Sequence, residues 1–218
     1  CRLVHAEGDG LPGLVVDRYA DVLALQATTA GTEAAKPLWL PALRDLFPRA
    51  SILQRNDLPS RHGEGLPLED ELLAGDPPAG RVPFRERGMT FLADLAGGQK
   101  TGFFLDQREN RHLVRGLGGG KSVLNLFSYS GAFGVAALAG GASRVTHVDV
   151  SAPALALARE NHAANGQDLS RVETVAADAF EDLRARVARG ETWDVVVTDP
   201  PAFAMKTLDV DRACRGYK

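Results

Sequence analysis

Apolar and polar positions change period along this chain, and from residue 122 onward the change becomes regular. Ser122 to Phe127, Arg144 to Val150, Arg171 to Ala176 and Trp193 to Asp199 read as strands, bounded by turn residues. Between them, Ala132 to Leu138, Ala152 to Asn165 and Phe180 to Ala188 read as helices. Strands and helices alternating at this spacing imply an α/β fold with a parallel sheet and right-handed crossovers. Val123, Leu124 and Leu126 suit a strand covered on both faces.

The preceding half is less regular. Leu14 to Val16 and Val22 to Ala27 read as a hairpin around Asp17 to Asp21, with Pro12 and Gly13 marking the entry turn. A helix is expected over Ala34 to Phe47, restricted by Pro41, and a strand over Ser51 to Gln54. Leu58 to Gly80 is rich in Pro, Gly and acid and reads as loops and short pieces, before strands at Arg81 to Glu86 and Met89 to Asp94. Phe103 to Leu117 looks helical in its second half, ended by Gly118 to Gly120. The division expected is a small α+β domain over residues 1–96 and an α/β domain over residues 97–218.

A chain of 218 residues can bury one sizeable core or two small ones. Its formal charge of -3 argues against nucleic-acid binding by bulk electrostatics alone and leaves room for a local basic surface. No apolar run approaches the roughly 20 residues that span a bilayer, and Arg2, His5, Glu7 and Asp9 interrupt any signal-peptide core, so the expected location is cytoplasmic. The two cysteines, Cys1 and Cys214, lack metal-ligand spacing, so neither a disulfide framework nor a metal site is indicated. Arg212 and Arg215 are all that would activate the Cys214 thiol. The five histidines are scattered, which fits surface or core roles better than catalysis. A homodimer is neither required nor excluded. The chain starts at Cys1 rather than Met and ends at Arg215-Gly216-Tyr217-Lys218 without a closing element, and so reads as a fragment.

The candidate chemistry sits where strands end. The turn Asn125-Leu126-Phe127-Ser128-Tyr129-Ser130-Gly131 leads into a helix, a junction where nucleotide-like cofactors bind. Phe127 and Tyr129 occupy positions where a dinucleotide fingerprint has glycine, which disfavours a dinucleotide. Asp149 ends the next strand, just before Ser151, about 20 residues on, where an acid accepts hydrogen bonds from ribose hydroxyls. Asp178, with Ala179 and Phe180, follows the third strand; its carboxylate suits an exocyclic adenine amine, and the alternative is a helix N-cap. The fourth strand ends in Asp199-Pro200-Pro201-Ala202-Phe203-Ala204, where two prolines remove two donors and stiffen the sheet edge.

These residues resemble class I S-adenosylmethionine-dependent methyltransferases, with Asn125 to Gly131, Asp149, Asp178 and Asp199 to Pro201 as four successive motifs. Gly98-Gln99-Lys100-Thr101-Gly102-Phe103-Phe104-Leu105-Asp106-Gln107-Arg108, then Asn125 to Tyr129, then Asp199 to Ala204, narrow the resemblance to the 23S rRNA cytosine-C5 methyltransferases that carry a PUA domain. It implies a Rossmann-like catalytic domain, S-adenosylmethionine as cofactor and 23S ribosomal RNA as partner. It also implies a PUA domain before Cys1 and further sheet strands after Lys218.

The chemistry implied by that resemblance is covalent. A cysteine thiolate adds to C6 of cytosine, C5 then takes the methyl group, and a base removes the C5 proton. The family's nucleophile lies in a Ser-Cys-Ser segment expected past Lys218, so the 218 residues alone should be inactive, with the strand at Trp193 an open sheet edge. Asp199, Pro200 and Phe203 would border the base pocket, with Asp199 also near the cofactor, and Lys206 would line the substrate side. Gln107 would meet the methionine part of the cofactor. Lys100, Arg108 and Arg111 would contact RNA phosphate, with a solvated helix face as the alternative, especially at Arg115. Two rivals remain: an enzyme that methylates guanine, and a cofactor-binding domain acting only as an interaction module.

Overall fold

The structure, a computed structural model, describes residues 1–98 and 100–202. The chain divides into two units, Cys1–Arg108 and Glu109–Lys218. In the first, β1 (Arg2–His5), β2 (Leu14–Tyr19), β3 (Val22–Ala27), β4 (Ser51–Gln54) and β5 (Glu71–Ala74) form a sheet in sequence order, antiparallel except for the β3 and β4 pair. The helices α1 (Ala30–Ala34), α2 (Lys36–Leu46) and α3 (Pro59–Gly63) lie between its strands in sequence. Leu14, Val16, Leu23, Leu25 and Ile52 from the sheet meet Leu43, Trp39 and Leu40 of α2 in one core. A separate hairpin, β6 (Val82–Glu86) and β7 (Met89–Ala93), brings Phe84 and Phe91 against Tyr19 and Phe103.

The β2 strand runs on to Tyr19, past the expected turn at Asp17, and the chain reverses at Ala20-Asp21. Aspartate is a turn residue by default, yet Asp17 is fully buried and paired. Its carboxylate accepts from Arg2 Nε and Nη2, both at 2.9 Å, and from Thr101 Oγ1 at 2.6 Å. Tyr19 Oη lies 3.1 Å from Thr101 Oγ1 and bonds Phe103 O at 3.3 Å. Arg55 donates to Leu95 O and Gly98 O. These bonds explain why residues 97–108 group with the first unit rather than with the second. Asp17→Ala strands a guanidinium and a buried hydroxyl, and should cost about 2–4 kcal/mol in urea unfolding.

The helix expected over Ala34 to Phe47 is α2, with the short α1 added before it. Thr29 caps α1 through Thr32 N, and α2 starts afresh at Lys36 with Pro37 in its first turn, where no donor is needed. Pro41 lies inside α2 and withholds one donor from its ladder.

The second unit follows the expected pattern. After α4 (Arg108–Leu117), β8 (Ser122–Leu126), α5 (Ala132–Ala139), β9 (Arg144–Asp149), α6 (Ala152–Ala164), β10 (Val172–Ala176), α7 (Ala179–Ala188) and β11 (Val195–Thr198) alternate. All pairings are parallel, in the order β10-β9-β8-β11, so the chain winds outward from β8 through β9 to β10 and then reverses to place β11 on the other side of β8. Val114, Val123, Ala137, Val145 and Val172 fill one core, and Leu124, Leu126, Val148 and Ala179 another. β11 starts at Val195, two residues later than Trp193, because Asp194 Oδ2 takes the Ser122 amide and hydroxyl at 2.8 and 2.7 Å in place of ladder bonds. Among the described residues no helix is long and apolar enough to cross a membrane.

Candidate functional site

Register places the candidate residues. Leu126 pairs with Val148 and with Thr198, and Asp149 pairs with Ala176. The turn after β8, the acid ending β9, the Asp178 loop and Asp199 therefore all leave the carboxyl edge of one parallel sheet, the ligand edge in open α/β folds. Backbone bonds stitch the loops together: Ser128 N donates to Val148 O and Ala177 N to Asp149 O, both at 3.1 Å.

Asp149 is the hub. Its Oδ2 accepts Tyr129 N at 2.7 Å and its Oδ1 accepts Ser151 N at 2.9 Å. Each oxygen keeps a lone pair, so a half-buried carboxylate that clamps two loops can still accept two hydroxyls. Ser151 caps α6 through Ala154 N. Val150 beside it is 73% exposed, an apolar side chain at the same edge that spacing arguments passed over.

The turn itself is wound through the left-handed region at Phe127 (φ 52), Tyr129 (φ 44) and Gly131 (φ 71). Two non-glycine residues in this region imply strain held by surroundings. Phe127 packs edge to face on Phe180 at 5.9 Å. Ser128 Oγ is buried and has no hydrogen-bond partner among the described residues. An orphaned hydroxyl in this buried and half-buried turn fits a polar ligand, as do the lone pairs of Asp149.

Several expected contacts are redirected. Asn125 is 1% exposed, and its Nδ2 lies 3.2 Å from His147 Nδ1, so its side chain supports the turn from inside rather than facing a ligand. Ala179 is buried in the Leu124, Leu126 and Val148 cluster and offers no ligand surface. Asp178 is the N-cap of α7, its Oδ1 taking Phe180 N and Glu181 N at 2.9 and 3.0 Å. The cap reading is thus realised, and Oδ2 stays exposed for a second role. Arg111 is 1% exposed and Val114, one turn on, is also buried, so Arg111 belongs to the inward face of α4 and leaves the expected row of phosphate contacts. Arg108 is exposed, in the first unit with half-buried Gln107 and with Lys100. Lys100 Nζ sits 4.3 Å over the Phe104 ring and 3.8 Å from Asp106. Asp199 is exposed past β11, and Pro200 is half-buried. Phe203, Lys206 and Cys214 lie outside the described residues.

Beneath the turn is a buried polar chain that the scattered histidines did not announce. His147 Nε2 meets His162 Nε2 at 2.9 Å, His162 Nδ1 meets Gln167 Oε1 at 2.6 Å, and Gln167 Nε2 donates to Val135 O at 2.9 Å. Burial lowers His147 from 6.5 to about 3, with His162 adding to the effect. Burial also lowers His162 to about 4, helped by Arg159 and opposed by its bond to Gln167. Above pH 6.5 both rings are neutral folded or unfolded, and stability is at its full value. As pH falls from there toward the folded values, the unfolded chain binds two protons that the folded pair refuses. Stability should then drop by about 2–3 kcal/mol per pH unit near pH 5. Urea unfolding at stepped pH measures this, and a His147→Gln, His162→Gln double variant should flatten the slope.

Residues 53–216 match the family described as S-adenosylmethionine-dependent methyltransferase. The chain belongs to the S-adenosylmethionine-dependent methyltransferases. It is 46% identical over 217 residues to ribosomal RNA large subunit methyltransferase I of Aeromonas salmonicida, and 43% identical to the protein of that name from Serratia proteamaculans. Each alignment covers 100% of this chain and 55% of the relative, so the chain spans about half the length of the curated relatives it matches. The solved structure of SMU.776 complexed with SAH (S-adenosylhomocysteine) superposes with a TM-score of 0.83 at 30% identity, covering 94% of this chain and 52% of that one. A methyltransferase with this Rossmann-like sheet uses S-adenosylmethionine, and the clamped turn, Asp149 and the orphaned Ser128 hydroxyl fit that cofactor.

Proposed function

We propose that the protein containing this chain methylates C5 of a cytosine in 23S ribosomal RNA, with a small α+β domain preceding the methyltransferase domain. One observation carries the cofactor half of this reading: Asp149 closes the Tyr129 and Ser151 loops at the sheet edge from which Asp178 and Asp199 also emerge. The RNA half is supported by the names of the relatives and by the order of the Gly98 to Arg108, Asn125 to Tyr129 and Asp199 to Ala204 segments.

Bound S-adenosylmethionine supplies an electrophilic methyl group on a sulfonium. Asp149 accepts the ribose hydroxyls, Asp178 Oδ2 accepts from the adenine amine, and Val150 and Phe127 offer apolar surface to the base. Asp199 and Pro200 border the pocket for the target base, and two successive prolines present carbonyls without competing donors. Lys100 and Arg108 are the phosphate contacts retained. The Ser-Cys-Ser segment that the cytosine chemistry requires does not occur among the 218 residues.

Nucleoside mass spectrometry of 23S rRNA, after incubation of unmodified rRNA with the full-length protein and cofactor, tests the reading. The expected product is 5-methylcytidine. A methylguanosine would transfer the assignment to the guanine rival. SAH binding without methylation of any base would leave an interaction module, and failure to bind SAH would bring down the methyltransferase reading itself.

A further inference from the structure

The polar chain under the cofactor turn touches it at both ends. Asn125 stands where β8 enters the turn, and Val135 O lies one helical turn beyond its exit. Between them, the His147 ring fills the space that side chains at Gly131 and Gly134 would need: an added Cβ would lie 3.1 Å and 2.3 Å from His147 Cε1. Asn161 Nδ2 supports the same stretch by donating to Ser130 O at 2.8 Å.

The direction of every bond follows from one carbonyl. Val135 O can only accept, so Gln167 presents its amide nitrogen to it and its oxygen to His162. His162 Nδ1 therefore carries a proton, and in a neutral ring Nε2 is bare and accepts from His147 Nε2. His147 Nδ1 is then bare and accepts from Asn125 Nδ2. A proton added to either ring would set donor against donor.

We propose that His147, His162 and Gln167 are positioning residues for the cofactor: a one-directional relay of neutral rings that holds the Asn125 to Gly131 turn in its strained, binding-competent form. The inference rests on the reading that this turn holds S-adenosylmethionine. It adds that affinity depends on side chains that never touch the ligand.

Long-range nitrogen–proton spectra of the full chain at pH 7.5 should show His147 protonated on Nε2 and His162 on Nδ1. Calorimetry with SAH should show binding weakened by about tenfold in His162→Leu, which breaks the relay, and restored to within about threefold in His162→Gln, which can accept and donate in the same sense. Reversed or mixed tautomers, or a folded His162→Leu chain binding SAH within twofold of the wild type, would overturn the proposal. If His162→Leu does not fold, Gln167→Met at the half-buried end of the relay takes its place, with a loss of at least threefold expected and a loss under twofold refuting. A wild-type chain that does not bind SAH would instead bring down the cofactor reading itself, a distinct result.

Discussion

Asp149→Ala weakens SAH binding by about 30- to 100-fold in calorimetry, the size expected when a charged acceptor of two hydrogen bonds is removed. Because both oxygens already accept backbone amides, from Tyr129 and from Ser151, the usual conservative change is not conservative here. Asp149→Asn must point its amide group at one of those donors, so its loss should approach that of alanine. A structural clamp alone would also weaken binding, and the ligand can be used to separate the two roles. An SAH analogue lacking both ribose hydroxyls should bind wild type and Asp149→Ala with a much smaller difference, since the shared loss is counted once in the cycle. Equal penalties for both ligands would remove Asp149 from ribose recognition and leave it only the loops.

The strands of the second unit were legible because each is a short run rich in β-branched and apolar residues between turn residues, with β8 and β9 buried along most of their length and β10 and β11 more open. Their ends were legible too, which is why Asp149, Asp178 and Asp199 could be assigned to one edge before any register was known. The side toward which a polar side chain turns is not written in its spacing. Asn125 sits in the motif but faces His147, and the α4 periodicity of Arg108, Arg111 and Arg115 defines a face without saying that Arg111 is buried with Val114. In the first unit, β1 and β5 went unseen because their residues are exposed or only half-buried, so neither has a buried face to imprint a period. Asp17 misled for the opposite reason. Its partners Arg2 and Thr101 are remote in sequence, and a buried acid looks like a turn until they are found. The His147 and His162 pair had one weak signal, the small residues Gly131 and Gly134 that leave room for a ring.

That room is the basis of the largest stability effect expected. Gly134 lies in α5, where alanine would ordinarily be the better helix former by about 1 kcal/mol. Here an added Cβ would stand 2.3 Å from His147 Cε1, 2.5 Å from His147 Nε2 and 2.7 Å from Val145 Cγ1, all in the sheet beneath. Neither neighbour can retreat, since His147 is held by Asn125 and His162 and Val145 is fully buried. Gly134→Ala should therefore destabilise the second unit by about 3 kcal/mol or more, reversing the sign of the helix propensity. Gly131→Ala meets Ala158 Cβ at 2.5 Å and must also hold φ 71, so its cost combines a clash with a backbone penalty of about 1–2 kcal/mol. The two differ in how they respond to removal of the ring. In a His147→Ala background, part of the Gly134→Ala penalty should vanish, because two of its three close contacts go with the imidazole. The Gly131→Ala penalty should persist, set by Ala158 and by the backbone. Urea unfolding of the three single and two double variants measures both couplings, and an undiminished Gly134→Ala penalty in the His147→Ala background would show that the ring is not what occupies the space beneath the turn.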